Sequence, residues 1–115
     1  MTYTDAFVIP VPKENLDDYL ELAATAREVW MDHGALDYKE CVAESIEFEM
    51  GVSFEDLVFL QKDETVIFAW ILYESKEERN RINALAEQDP RLEKYDEMPF
   101  DSTRMTAGGF DVAVG

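Results

Sequence analysis

Residues Val66–Tyr73 read Val-Ile-Phe-Ala-Trp-Ile-Leu-Tyr, an unbroken run with no charge and no polar alternation. The run is too short to cross a bilayer, which takes ~20 apolar residues. Its β-branched and aromatic content marks a strand. A half-exposed strand alternates apolar and polar side chains, so a strand that does not alternate must be covered on both faces. A second strand, Tyr3–Val11, has the same character at its centre, Ala6-Phe7-Val8-Ile9. Whatever fold the chain adopts, it must place apolar material on both sides of these two strands.

The rest of the chain supplies few covering elements. A helix is predicted over Glu14–His33, with Leu16, Tyr19, Leu20, Ala23, Ala26, Val29 and Trp30 on one stripe at three- and four-residue spacing. Gly34 is placed to end it in a left-handed turn. Ser75 and Glu78 form a capping box that opens a second helix, which stops at Asp89-Pro90. Leu36–Ala43, charged at Asp37, Lys39 and Glu40, reads as an edge strand. Arg104–Val114 gives a last strand, where Gly108-Gly109 marks a bulge or a close backbone approach. Pro10 and Pro12 cannot donate to a ladder, so they should finish or edge the first strand. Between Glu44 and Glu64 lies a segment longer than most loops, with Ser53 and Asp56 positioned to cap a short helix. It reads as a lid or as an arm on a partner.

The order is strand-helix-strand, strand-helix-strand, within a length of 115 residues that holds one domain, 1–115. This predicts an α+β fold, the ferredoxin-like βαββαβ arrangement with a four-stranded antiparallel sheet. In a 4-1-3-2 sheet, Phe7 is expected roughly opposite Trp70. Two helices cover one sheet face and leave the other bare. The expected solution is a homodimer joined through that sheet face, because monomers rarely expose an apolar patch of such size.

Charge narrows the partners. Against 26 Asp and Glu stand 10 Lys and Arg, for a net charge of -16. The basic residues are scattered among acids, so neither nucleic acid nor an anionic membrane is an expected partner. The acidity serves solubility, or adaptation to high salt, where ions screen the self-repulsion. Cys41 is the single cysteine, which excludes an intrachain disulfide and, with no basic leader at the N-terminus, points to the cytoplasm.

Several words of the sequence resemble the YbaA-like family of small bacterial proteins of unknown function. They are Tyr3-Thr4-Asp5-Ala6-Phe7-Val8, His33-Gly34-Ala35-Leu36, Glu40-Cys41, Val66–Ile71, Asp89-Pro90-Arg91 and Met98-Pro99-Phe100-Asp101-Ser102-Thr103-Arg104-Met105 through Gly108-Gly109-Phe110. Ala6 and Ser102 stand where that pattern usually has Gly. The resemblance implies the dimeric α+β barrel superfamily, whose members include cofactor-free oxygenases, haem-degrading oxygenases, lactone isomerases and plain ligand binders. It implies no activity, since fold does not choose among these. Related haem-degrading folds place their iron-binding His on the second helix, which here has Arg79, Asn80, Arg81 and Asn83 but no His. No cofactor is expected.

Candidate residues follow from chemistry. His33, the only histidine, could act as a general base or haem ligand. Its commoner role at a helix C-terminus is to interact favourably with the dipole. Asp5 and Arg104 are weak catalytic candidates, with Asp101 the expected partner of Arg104. Cys41 lies too far along its strand from His33 for a thiol dyad and reads as a small buried hydrophobe. One His and one Cys cannot build a zinc site, so no metal is expected. Phe7, Trp30, Tyr38 and Trp70 are candidates for an aromatic-lined pocket between helices and sheet, against the alternative that they simply pack the core. The expected function is binding of a small apolar or aromatic molecule. The alternative is an enzyme on such a substrate, a cofactor-free oxygenase or an isomerase.

Overall fold

The computed structural model describes residues 1–115. Four strands, β1 (Tyr3–Pro12), β2 (Asp37–Val42), β3 (Glu64–Tyr73) and β4 (Thr106–Asp111), form one antiparallel sheet in the order β2-β3-β1-β4. Three helices accompany them: α1 (Leu16–His33), the single turn α2 (Phe54–Leu57) and α3 (Lys76–Glu87). Short 3-10 turns lie at Lys13–Asn15, Pro90–Leu92 and Ser102–Arg104, the last where the sequence predicts the start of a strand. No helix is long and apolar enough to cross a membrane.

The two apolar strands pair with each other at the sheet centre, from Tyr3↔Tyr73 to Pro12↔Glu64. β4 pairs with β1 only as far as Val8↔Thr106, so Pro10 and Pro12 fall where β1 is an edge on that side. Strand alternation then sorts the side chains. Tyr3, Asp5, Phe7, Ile9 and Val11 of β1 and Ile67, Ala69, Ile71 and Tyr73 of β3 face the long helices, while Thr4, Ala6, Val8, Val66, Phe68, Trp70 and Leu72 face away. Ser75 and Ser53 accept hydrogen bonds from the amides of Glu78 and Asp56, at 3.1 and 3.0 Å, and so open α3 and α2. Gly34, at φ 120°, takes the chain out of α1 in a backbone region that disfavours side chains. Gly109 is required for a different reason: a Cβ there would collide with the Tyr3 hydroxyl and the Arg79 guanidinium.

Tyr19, Ala23, Ala26 and Val29 form the buried stripe of α1, whereas Leu20 is exposed. α1 and α3 are tied at their ends by His33, Asp89 and Arg91: His33 Nε2 lies 2.9 Å from Asp89 Oδ2, and Arg91 donates to both Asp89 oxygens. The connection from Leu92 to Met105 is a further cover of this face that helix counting missed. Asn15 Nδ2 donates to the Pro99 carbonyl at 3.1 Å, and Phe100 packs edge-on against Tyr19.

The opposite face is not wholly bare. The segment between β2 and β3 folds back across one end of it, where fully buried Val58 packs on Val8 and Val66 with Ala43, Ile46 and Leu60 alongside. Arg104 anchors this segment, donating to both Glu64 carboxylate oxygens at 2.8 and 2.6 Å and to the Phe59 carbonyl at 3.1 Å. Leu57 and Phe59 stay exposed, as do Phe48, Met50 and Val52. Cys41 is exposed as well, correcting its expected burial, because its strand position faces away from the helices beside Phe68.

Candidate functional site

α1 carries a large residue at each end of its buried stripe, Tyr19 and Trp30, and alanines at 23 and 26 between them. Ala69 lies below them in β3. Large residues hold the helix off the sheet, and small ones leave the space between unfilled. The result is a cavity of about 320 Å³ between the helical layer and the sheet. Its volume is in the range of small-molecule sites, ~300–1,000 Å³. Phe7, Ile9, Ala69, Ile71 and Tyr38 form its floor, and Leu92, Tyr95, Met98, Phe100 and Met105 close it from the side.

One charged side chain reaches this apolar space. Glu40, on the helix-facing side of β2, accepts a hydrogen bond from the Tyr19 hydroxyl on Oε1 at 2.7 Å and from the Tyr38 hydroxyl on Oε2 at 2.9 Å. Burial pushes the Glu40 carboxyl above its ordinary value, and the two phenolic donors only partly oppose this. Burial and the neighbouring carboxylate push both tyrosine hydroxyls well above their usual range, so they stay protonated and act as donors. The remaining polar groups of the wall are engaged elsewhere. Trp30 Nε1 donates to Asn83 Oδ1 at 3.0 Å, and the Tyr95 hydroxyl shares a hydrogen bond with Thr25 Oγ1 at 3.1 Å.

Of the four aromatic candidates, Phe7, Trp30 and Tyr38 line the cavity. Trp70 does not, which corrects its expected position. Its partner in β1 is Ala6, while Phe7 pairs with Ala69, and this difference of one residue turns Trp70 to the opposite face. The catalytic candidates do not converge. Asp5 lies 3.3 Å from Arg79 Nε beneath α3, His33 is bound to Asp89 at the end of α1, and Arg104 is held by Glu64 and Asp101. Glu40 and Tyr19 were the signals the sequence reading missed. A charge on an edge strand has an ordinary explanation in protecting that edge, and nothing local to Glu40 announces a phenol twenty-one positions away.

No cluster of three or more His, Cys, Asp or Glu is arranged to hold a metal ion. Residues 2–102 match the family described as Protein of unknown function (DUF1428). The sequence is 40% identical over 112 residues to the uncharacterized protein YbaA of Escherichia coli (strain K12), covering 96% of either chain, and matches the Shigella flexneri protein of that name to the same extent. A de novo designed protein, Foldit4, superposes with a TM-score of 0.48 at 13% identity, over 96% of this chain and 98% of the design. With a family match over most of its length and 40% identity to YbaA across 96% of it, this chain belongs to the DUF1428 family, whose function is unknown.

Proposed function

We propose that this protein binds a small apolar or aromatic molecule in the cavity between helices and sheet. In this reading it works as a homodimer in which the ferredoxin-like sheets of two copies pack on each other and complete a dimeric α+β barrel. The observation that carries the ligand reading is the cavity itself: about 320 Å³ walled by apolar side chains, with a single carboxylate. Supporting the dimer are the exposed Phe68 and Phe110 on the sheet face away from the long helices, and Phe48, Met50 and Val52 on the segment beside it. An exposed Cys41 fits a reducing cytoplasm.

Titration with naphthalene, followed by NMR at the methyls of Ala23, Ala26 and Ala69, tests the ligand reading. These methyls should shift, and Ala69→Leu, which fills the cavity, should abolish the shift while the protein stays folded. Binding that leaves all three methyls unmoved would sink the reading. Glu40 favours one second reading, an isomerase-type enzyme in which a desolvated carboxylate moves a proton on a bound substrate. That reading requires turnover that Glu40→Gln removes while binding persists.

A further inference from the structure

The donors beside Glu40 are engaged, and this fixes what a ligand can offer there. Tyr19 and Tyr38 both donate to Glu40, Trp30 donates to Asn83, and Tyr95 shares its hydrogen bond with Thr25. What remains unused there is acceptor capacity, on the two phenol oxygens and above all on Glu40, whose two oxygens have about four acceptor positions and here receive one hydrogen bond each. A ligand that meets Glu40 must therefore donate.

Charge carries the argument further. Glu40 forms no salt bridge, although Arg27 on α1 and Lys39 on β2 share an outer surface depression with it. Glu40 is half-buried, so its carboxylate is partly stripped of water and has no cation beside it, and a cationic ligand would complete it. The cavity wall also presents the rings of Phe7, Tyr19, Trp30, Tyr38 and Phe100, whose faces attract cations. A polar groove of about 370 Å³ shares Leu22, Tyr95 and Met98 with the cavity and is lined by Asp18, Glu21 and Glu97, with no Lys or Arg. The chain as a whole carries -16. These fields draw cations toward that groove and repel anions.

We propose that the ligand is a compact apolar or aromatic amine, bound as its cation with the ammonium group donating to Glu40 and the apolar body in the cavity. This rests on the ligand-binding reading above and adds the ligand's chemical class.

The test uses four probes that share one ring system: 1-naphthylmethylamine, 1-naphthylmethanol, 1-methylnaphthalene and 1-naphthoate. Calorimetric titration should show the amine binding roughly tenfold tighter than the alcohol or the hydrocarbon, with naphthoate weakest. Glu40→Gln should remove the amine's advantage and leave hydrocarbon binding in place. In the unaltered chain, that advantage should shrink as pH falls through the raised Glu40 value, while hydrocarbon binding stays flat. This arm holds even if the variant fails to fold.

Alcohol binding as tight as the amine would overturn the cation assignment. An amine advantage that survives Glu40→Gln would overturn it too, since it would come from general surface charge. In either case the cavity reading stands as long as the hydrocarbon binds. If no probe shifts the cavity methyls, the cavity reading fails with it.

Discussion

The two faces of this sheet are built from the same strands and nearly the same kinds of residue, yet they end in different states. On the helix side, Ile9, Val11, Ile67, Ala69, Ile71 and Tyr73 are buried under α1, α3 and the connection from Leu92 to Met105. On the far side, Val8, Pro10 and Val66 are buried, with Val58 packed on Val8 and Val66, while Phe68 remains 41% exposed. Neighbouring residues in one strand thus meet unlike surroundings. The covered face holds a cavity with a carboxylate, and the uncovered face offers a surface. What separates them is the alternation of side chains along a strand, not composition.

The largest effect expected from breaking this comparison comes from adjacent substitutions. Ile67→Glu places a charge in the fully buried core and should cost about 4 kcal/mol or more, enough to unfold much of the population. Phe68→Glu, one residue on, should leave circular dichroism unchanged and convert the proposed dimer to monomer in light scattering. If Ile67→Glu folds as well as Phe68→Glu, the assignment of faces is wrong.

The tryptophans sharpen the contrast at a smaller energy. Each Trp→Phe substitution should cost about 1–3 kcal/mol in denaturant unfolding. Their fluorescence should separate the faces. In Trp70→Phe, the remaining Trp30 should respond to a cavity ligand and ignore dilution. In Trp30→Phe, Trp70 should shift to the red when the proposed dimer is diluted apart and ignore the ligand. A Trp70 signal that follows ligand binding would contradict the geometry.

The smallest effect concerns acid. The side chain of Arg91, then its amide, then His33 hold the Asp89 carboxyl well below the usual carboxylate range. A lowered carboxyl stabilises the fold above its unfolded value of about 3.9 and loses that contribution as pH falls below it. Asp89→Asn should therefore lower the thermal midpoint at neutral pH and narrow its gap to the parent as pH drops below about 4. On the far side, Glu64 is likewise held low, chiefly by Arg104, so its contribution has the same sign. Glu40 has the opposite sign. Its raised carboxyl contributes stability below the raised value and loses it as pH rises through that value.

Much of the architecture was legible in the sequence because its causes are local. The unalternating runs of β1 and β3, the serines that cap α2 and α3, the glycine that ends α1 and the acidic surface all act over a few neighbours in the chain. The expectation that residues 3–11 and 66–73 form strands covered on both faces came from composition and spacing alone. Of the four aromatic candidates, Phe7, Trp30 and Tyr38 line the cavity and Trp70 does not.

The rest depended on contacts between distant residues. The face taken by Trp70 turns on a one-residue register between β1 and β3, and a period-two pattern cannot show register when both faces are apolar. The role of Glu40 comes from burial and from phenols on α1 and β2, since a carboxylate becomes unusual only when folding takes it out of water. The wall formed by Leu92–Met105 and the cover formed by Val58 come from irregular backbone without a period to read. The sequence alone determined that the apolar centres of β1 and β3 must leave water. Only the tertiary structure decided which face they leave it on and what they meet there, because desolvation and register belong to the packed whole rather than to any segment of the chain.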